Sequence, residues 1–512
     1  MTGATAVNFA SRRLGRNAPT PSRESCVICV IVQPMTTAKP AMTDYAYTSA
    51  IDLGRAIAAK ELSPMELMRD CLARMDALEP RLNCFVTQTR EEALAAARRA
   101  EQAVMAGDTL GALHGLPISV KDLIAMGGVR QTFGSRTMAS NMAAADAPSV
   151  ERVKAAGACI IGKTTTTEFG CKGGGPSPLS GTTRNPWDLS KTPGGSSLGA
   201  ASSVAAGVTP FALGTDGGGS IRLPSAFCGL FGIKAQFGRV PVFPTAATPT
   251  LAHVGPLART VRDAALLLKV ISGHARCDPF SVAGAVPDYL GACDLPVRGM
   301  RVAWSPTLGA GKPQPDVLAA CEAAVAALQG LGCDVVVWDE LAGADPIDLW
   351  MAEFYAGVGT RLKTTMQESR HLLDPAVAHM LEPALHQRLE DYYGKVFKRY
   401  EFREQVRARF ETIDLLLTPT TPCTAFDANA DAPAGTTDNI ISWMTYTYPF
   451  NLTGQPAASV PVGLTAAGLP VGLQMVAKIN HEVDIFRAAA ALEAARPWAH
   501  LKPNLPMGAH PA

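Results

Sequence analysis

Residues 193–226 read PGGSSLGAASSVAAGVTPFALGTDGGGSIRLPSA and contain two glycine-serine clusters, one around Ser196 and one around Ser220. A third segment, GLPISVKD at 115–122, places Lys121 directly after a short apolar run. Serine is a poor nucleophile unless a nearby base removes its proton. Consecutive glycines let backbone N–H groups approach a developing oxyanion. The combination favours acyl-transfer chemistry.

Alternating strand and helix patterns surround these clusters. The sequence predicts a strand at 116–120, a helix at 148–156 and a strand at 158–161. The same order recurs in a strand at 300–304, a helix at 315–329 and a strand at 333–337, and a further strand is predicted at 414–418. Strand–helix–strand order is typical of an α/β sheet. We therefore expect one α/β sheet.

Helices are expected at three places outside this alternation. Two N-terminal helices, the first opened by the capping box at Ser63, extend to about Ala106. The small, apolar residues 200–213 predict a tight buried helix between the two clusters, because a flexible linker would have polar flanks. The Arg-, Glu- and Tyr-rich segment 342–412 predicts a helical cap over one edge of the sheet.

The two ends of the chain differ from its middle. Residues 1–42 carry four arginines and one apolar run of only seven residues at 26–32, which a signal peptide would resemble, but no small-residue cleavage site follows it. We predict an extra, disordered N-terminal segment at 1–42, one enzyme domain at 43–502 and a loose tail at 503–512.

Composition excludes several classes of partner. The chain of 512 residues is 47% hydrophobic and 18% charged, and its 46 basic and 45 acidic residues leave a net charge of +1. This balance gives no basis for binding nucleic acid or an anionic membrane. No apolar run approaches the roughly 18 residues that span a bilayer. We expect a soluble, cytoplasmic enzyme with a small-molecule partner, and a homodimer is the general expectation for such enzymes.

Cysteine usage predicts no metal site and no cofactor. The twelve cysteines occur mostly singly within apolar runs, as is usual for buried thiols in a reducing compartment. Cys26 and Cys29 form the one close pair, and no second pair follows at zinc spacing.

Two motifs point to other chemistry but fail on context. GACIIGKT at 157–164 matches the phosphate-loop pattern, yet a phosphate loop follows a strand and opens a helix, whereas this segment follows a predicted helix. GSSLG at 195–199 matches the hydrolase elbow G-x-S-x-G, which would make Ser197 the nucleophile. That elbow must directly follow a buried strand, and residues 185–193 form a polar, proline-containing loop instead.

The two clusters and the lysine segment together resemble the amidase signature family of serine hydrolases. The resemblance covers roughly residues 47–495 and implies that family's fold, a single large α/β domain with a central mixed β-sheet flanked by helices and a helical cap insertion. Further matching motifs follow in chain order: GKT at 162–164, EFG at 168–170, NPWD at 185–188, GPLARTVRDA at 255–264, DLLLTP at 414–419, NLTGQP at 451–456 and GLPVGLQ at 468–474.

The resemblance implies a role for each of three side chains. Ser220 is the implied nucleophile, Ser196 the bridging serine after a cis peptide bond, and Lys121 the base. A lysine must be neutral to accept a proton at pH 7, so we expect burial to lower the pKa of Lys121. The implied oxyanion hole is made by the backbone N–H groups of Gly217, Gly218, Gly219 and Ser220.

Substrate recognition is less determined by the sequence. By analogy with the family's variable pocket, we expect an open, partly aromatic pocket suited to an aryl or alkyl amide, or to a carbamate or ester. Asp216 and Arg222 flank the nucleophile and are predicted to form an ion pair that shapes the turn. The predicted substrate-binding residues are Gly173, Gly174, Gly195, Tyr446 and Phe450.

Departures from the family pattern bear on the substrate more than on activity. Leu198 replaces a glycine, and Gly217 replaces a hydroxyl-bearing or aliphatic residue. The alternative function is the glutamine-hydrolysing subunit of a tRNA-dependent amidotransferase, which would need a second protein. The unusual first cluster and the basic, aromatic cap favour a stand-alone hydrolase.

Overall fold

The computed structural model describes residues 45–436 and 439–505. The predictions for residues 1–42 and for the Cys26 and Cys29 pair lie outside these residues, as does most of the predicted tail at 503–512.

Eleven strands of the described residues form one mixed sheet, in the order β1-β3-β2-β4-β6-β5-β10-β11-β9-β7-β8. Parallel pairing joins β2 to β3 and β4, and β7 to β8 and β9, while the other neighbours are antiparallel. The strands are β1 Phe85–Gln88, β2 Pro117–Lys121, β3 Cys159–Thr164, β4 Phe211–Asp216, β5 Phe231–Lys234, β6 His253–Ala258, β7 Arg301–Trp304, β8 Asp334–Val337, β9 Leu415–Pro419, β10 Ala457–Leu464 and β11 Pro470–Ala477.

Helices cover the sheet. No helix in the described part of the chain is both long and apolar enough to cross a bilayer. The α-helices are α1 Ala50–Ala58, α2 Pro64–Leu82, α3 Arg90–Ala106, α4 Pro148–Ala155, α5 Leu198–Ala205, α6 Arg222–Cys228, α7 Val261–Ile271, α8 Tyr289–Ala292, α9 Pro315–Gly330, α10 Ile347–Arg361, α11 Lys363–Glu368, α12 Pro375–Leu385, α13 Leu389–Phe410, α14 Pro449–Thr453 and α15 Glu482–Ala495.

The sheet brings the lysine segment and both glycine-serine clusters to one edge. Strand β2 is parallel to β4, with Val120 opposite Leu213, so Lys121 at the end of β2 lies beside the end of β4. The loop 217–220 follows β4 directly and leads into α6. Helix α5 precedes β4 and packs on it. Its first turn, which follows Ser196 and Ser197, lies near the same edge because Ser197 Oγ donates to the carbonyl of Thr215.

Most elements predicted around the clusters are confirmed, with small shifts at their ends. The phosphate-loop-like segment contributes strand β3, as its isoleucines indicated. The expected helix at 200–213 was wrong in its second half, since α5 ends at Ala205 and residues 211–216 form β4. A strand buried on both faces is uniformly apolar, so it lacks the alternation that separates a strand from a helix. Strands β1, β5, β6, β10 and β11 were not predicted.

Helices α10 to α13 occupy residues 347–410, within the segment predicted to be the helical cap. Their apolar side chains, among them Trp350, Phe354 and Val377, belong to a hydrophobic core that also includes side chains from the sheet. Leu223 and Phe227 of α6 belong to the same core. The helices at 347–410 and helix α6, which directly follows the loop 217–220, therefore share one hydrophobic core.

Candidate active site

Lys121 lies at the centre of the site with no solvent exposure. Its Nζ is 2.7 Å from Ser196 Oγ and 2.8 Å from Thr215 Oγ1. Burial lowers the pKa of Lys121 well below its ordinary value, against the opposing effect of the Asp216 carboxylate. A neutral amine has one lone pair and two N–H bonds, so it can accept from Ser196 while it donates to Thr215. The geometry suits a general base.

Ser196 follows a cis peptide bond from Gly195. Gly195 donates its N–H to the carbonyl of Gly173 at 2.7 Å. A Cβ on Gly195 would lie 2.8 Å from the carbonyl oxygen of Lys172, so only glycine permits this approach. The contact places the predicted residues Gly173 and Gly195 beside the bridging serine.

Ser220 lies on the loop between β4 and α6 and is 7% exposed, against 1% for Ser196. Ser197, the residue after Ser196, donates its hydroxyl to the carbonyl of Ser220. This hydrogen bond joins the two segments that carry the serines. Within the described residues, no hydrogen bond joins the side chains of Ser196 and Ser220. Catalytic hydrogen bonds are often long before substrate binds. The structure thus joins the side chains of Lys121 and Ser196 by a hydrogen bond, and it links Ser220 to this pair through its backbone carbonyl, which Ser197 binds.

The amides of the nucleophile loop differ in what they bind. Gly219 donates its N–H to Asp216 Oδ1 at 2.8 Å, so this predicted oxyanion-hole amide already has an acceptor in the structure. The amides of Gly217, Gly218 and Ser220 donate to no acceptor within residues 45–436 and 439–505. These three N–H groups are the ones available to an oxyanion.

Asp216 and Arg222 form the predicted ion pair beneath the loop, and both are fully buried. Arg222 binds the carboxylate through two nitrogens, at 2.9 and 3.0 Å, and also donates to Asn451 Oδ1 at 2.7 Å and Gln474 Oε1 at 2.8 Å. Burial acts to raise the pKa of Asp216, but the charges of Arg222 and Lys234 and the hydrogen bonds from Arg222 and Asn451 together outweigh it and hold that pKa below its usual range. The pair is a charged, hydrogen-bonded support for the loop.

Two side chains that sequence reasoning missed bind the loop carbonyls. Trp350 donates its indole N–H to the carbonyl of Gly217 at 2.7 Å, and Thr447 donates its hydroxyl to the carbonyl of Gly218 at 2.6 Å. Thr447 lies between the two aromatic residues that the sequence did single out, so its position carried a signal. Trp350 lies in helix α10 of the cap, and nothing in the sequence around it indicates a contact with this loop.

The predicted substrate-binding residues divide into two groups. Gly173 lies against Trp443, and Gly174 lies against Phe426, with no room for a Cβ in either case. Tyr446 and Phe450 are wholly buried, and the hydroxyl of Tyr446 donates to the carbonyl of Pro306 at 2.7 Å. In the structure these two rings belong to the hydrophobic core beside the site, and their contact with substrate stays a prediction.

Comparison with known proteins gives consistent results. The sequence model of the amidase family matches residues 66–486. An acylamidase from Rhodococcus erythropolis is 37% identical over 468 residues, which cover 89% of this chain and 97% of that protein. The crystal structure of a bacterial aryl acylamidase of the amidase signature family superposes with a TM-score of 0.85 at 28% identity, covering 91% of this chain and 100% of the other.

Relatives with another role also match. One of the glutamyl-tRNA(Gln) amidotransferase subunits of Thermosynechococcus vestitus is 34% identical over 493 residues, covering 89% of this chain and 99% of that protein. Full-length similarity therefore extends to acylamidases and to amidotransferase subunits.

Proposed function

Because the chain belongs to the amidase signature family, we propose that it is a serine amidase that cleaves the C–N bond of a small, largely uncharged amide through an acyl-enzyme on Ser220. The observation that carries this proposal is the buried amine of Lys121, 2.7 Å from Ser196 Oγ, with its pKa lowered by burial. A neutral amine at this position can draw a proton from a serine at neutral pH.

In the acylation step, Ser220 attacks the carbonyl carbon and passes its proton to Ser196, whose own proton moves to Lys121 Nζ. The Ser220 hydroxyl must turn toward Ser196 for this transfer, and we expect it to do so when substrate binds. The amides of Gly217, Gly218 and Ser220 receive the oxyanion. The Lys121 ammonium then returns its proton through Ser196 to the leaving nitrogen, and the C–N bond breaks.

Deacylation uses the same relay with water as the nucleophile. Lys121, neutral again, accepts a proton from water through Ser196 while the water oxygen attacks the ester carbonyl. Collapse of the second tetrahedral intermediate releases the acid and restores the Ser220 hydroxyl. Each proton that leaves a nucleophile is returned to a leaving group, so the enzyme ends unchanged.

The aromatic surroundings favour an aryl or alkyl amide, and the same pocket suits a carbamate or ester. Trp443 and Phe426 lie against Gly173 and Gly174, and the buried ring of Phe227 packs on both of them, with ring centroids 5.5 to 6.0 Å apart among the three. Aromatic walls of this kind stabilise apolar groups by burial and ring contacts. The similarity to an aryl acylamidase is in agreement.

Glutamine hydrolysis is the second candidate, supported by the similarity to the amidotransferase component. Glutamine carries an ammonium and a carboxylate, which require charged groups in the pocket. Around the nucleophile loop, Asp216 and Arg222 already bind each other, and Lys172 beside Gly173 binds Asp374 and Asp431, both at 2.5 Å. With these charges paired, an uncharged amide is the better match.

A substrate panel with three variants tests the proposal. The panel contains 4-nitroacetanilide, butyramide, ethyl carbamate and L-glutamine. We expect hydrolysis of the anilide, at least a thousandfold loss in Ser220→Ala and Lys121→Ala, and loss of labelling by a fluorophosphonate probe in Ser220→Ala. Ser203→Ala removes another buried serine, on α5, and should retain activity. Activity that survives in Ser220→Ala, or hydrolysis of glutamine alone, would overturn the proposal.

A further inference from the structure

The indole of Trp350 makes one polar contact, and it is with the nucleophile loop. Nε1 donates to the carbonyl of Gly217 at 2.7 Å. Trp350 lies on α10, is 2% exposed, and stacks on Phe354 with ring centroids 4.6 Å apart and on Tyr448 at 5.8 Å. Ring packing therefore fixes the direction in which the indole N–H points.

Glycine at two loop positions makes this contact possible. A Cβ on Gly217 would lie 2.9 Å from Phe354 Cε2, and one on Gly218 would lie 2.5 Å from Trp350 Cζ2. A side chain at either position would collide with one of these rings, so the close approach of the loop to α10 depends on both glycines.

Holding the Gly217 carbonyl determines where the next amide points. In a trans peptide the C=O and the following N–H point in opposite directions. The carbonyl of Gly217 is held on the Trp350 side, so the N–H of Gly218 is directed to the opposite side of the loop. That N–H has no acceptor among the described residues.

The next peptide along the loop provides a contrast. The carbonyl of Gly218 accepts from Thr447, and the N–H of Gly219 donates to Asp216, so this peptide is held at both ends. The Gly217–Gly218 peptide is held at its carbonyl alone, and that contact comes from Trp350. Its flanking glycines have the widest backbone freedom of any residue type. Without the indole N–H, no hydrogen bond among the described residues holds this peptide in its orientation.

We propose that Trp350 is a positioning residue for amide hydrolysis, which orients the Gly218 N–H toward the oxyanion of the tetrahedral intermediate. The inference rests on the proposed function, because it assumes that an oxyanion forms at Ser220. It adds the cap helix α10 to the parts of the chain that determine the rate. Trp350 touches no reacting atom and acts through one backbone peptide.

The magnitude follows from what such donors contribute. Removal of one oxyanion-hole donor typically lowers kcat by about 10²–10³-fold. Loss of orientation leaves the donor present but correctly placed for part of the time, so the effect is smaller. We expect Trp350→Phe to lower kcat by roughly tenfold to a hundredfold and to change KM by less than about threefold.

The experiment compares Trp350→Phe with Trp498→Phe. Trp498 is likewise buried and donates its indole N–H to a backbone carbonyl, that of Arg259 at 2.9 Å, in the other main core. Both variants lose one indole N–H, and only Trp350 contacts the nucleophile loop. Hydrolysis of 4-nitroacetanilide is measured per mole of Ser220 labelled at saturation by a fluorophosphonate probe, so misfolded protein does not count. Trp498→Phe should retain the wild-type kcat per labelled site.

A transition-state mimic provides a readout that a purely structural role would not change. An aryl trifluoromethyl ketone forms a tetrahedral adduct with the nucleophilic serine, and its oxyanion occupies the same hole. We expect its inhibition constant to rise in Trp350→Phe by the same factor as kcat/KM falls. Unchanged kcat per labelled site together with unchanged inhibition would overturn the inference.

Replacement of Trp350 by β-(3-benzothienyl)alanine keeps the bicyclic ring and substitutes sulfur for the N–H. This variant tests the same hydrogen bond if the Phe variant does not fold, and the same losses are expected. Failure of the proposed function has a different signature: wild-type protein would not be labelled at Ser220 or would not hydrolyse the anilide. If wild-type protein is labelled and hydrolyses the anilide normally, while substitution of Trp350 changes neither kcat per labelled site nor inhibition, only the positioning role is rejected.

Discussion

Replacing Thr215 by Val removes one hydroxyl beside the amine of Lys121 and leaves strand β4 otherwise unchanged. Lys121 Nζ lies 2.8 Å from Thr215 Oγ1. Thr and Val share the same branched shape, which suits a strand. The carbonyl of Thr215, which accepts from Ser197 Oγ at 3.2 Å, is backbone and is retained. The substitution therefore isolates the contact between the hydroxyl and the amine.

The expected magnitude follows from the difference between charged and neutral hydrogen bonds. A bond to a charged group contributes about 1.5–3 kcal/mol and a neutral bond about 0.5–1.5 kcal/mol. Losing the hydroxyl thus destabilises the ammonium more than the amine, by about 1–1.5 kcal/mol, which corresponds to about one pKa unit. The pKa of Lys121, already lowered by burial, should fall further.

The sign of the change in pH dependence is determined by the role of the amine. Activity requires neutral Lys121, so kcat/KM is lost as the pH falls through the pKa of this group. In Thr215→Val that acid limb should move about one pH unit lower. The plateau rate should fall by about twofold to tenfold, because the hydroxyl no longer orients the amine toward Ser196.

The assay is the pH profile of kcat/KM with 4-nitroacetanilide for wild type, Thr215→Val and Thr215→Ser. The serine variant keeps a hydroxyl at the same position and should retain the wild-type limb. An acid limb that stays in place or moves to higher pH in the valine variant would refute the assignment of Lys121 as a base that must be neutral.

Three further substitutions and one control substitution test residues around the site. Arg222→Lys should destabilise the fold by about 3–5 kcal/mol in urea unfolding, because lysine cannot reproduce the two-nitrogen contact and a buried carboxylate is left underpaired; a loss under about 1 kcal/mol would contradict this. Gly219→Ala should lower kcat more than tenfold, since φ is 140° and the new Cβ would lie 2.5 Å from Thr447 Oγ1. Gly330→Ala, at a glycine with open space around it, should have no effect on kcat. Glu168→Gln should remove a pH dependence of stability: burial raises the pKa of Glu168 to about 7, so its ionisation lowers the free energy of unfolding as the pH rises from about 4.5 to 7, by up to about 3 kcal/mol. The difference in unfolding free energy between wild type and Glu168→Gln should therefore change over this range, and a constant difference would exclude this effect.

Much of the fold was predictable because the patterns that encode it are local. The capping box at Ser63 starts α2, whose N-terminus is capped by that side chain as expected. The apolar run before Lys121 is strand β2, buried along its whole length. The uniformly apolar residues 200–213 were assigned to one helix, and they form parts of both α5 and β4. Burial on all sides removes the periodicity by which a strand and a helix differ in sequence.

The candidate site was predictable to the extent that its residues lie in local motifs. Lys121, Ser196 and Ser220 were assigned by motif resemblance, and the structure places an amine and a hydroxyl of this set within hydrogen-bonding distance. The amide of Gly219 was assigned to the oxyanion hole because it lies in the glycine run. Only the folded loop turns that N–H to Asp216, since the direction of a backbone amide depends on φ and ψ and not on residue type.

Local sequence patterns were sufficient to specify five of the eleven strands in the described residues, the helices that connect them, and the residue types available for catalysis. Three features instead depend on the complete fold: which loop amides are free, how burial lowers the pKa of Lys121, and that Trp350 reaches a carbonyl distant along the chain. The reason is physical. Helix and strand formation depends on neighbours within a few residues, whereas desolvation and side-chain contact depend on which distant segments the chain path brings together.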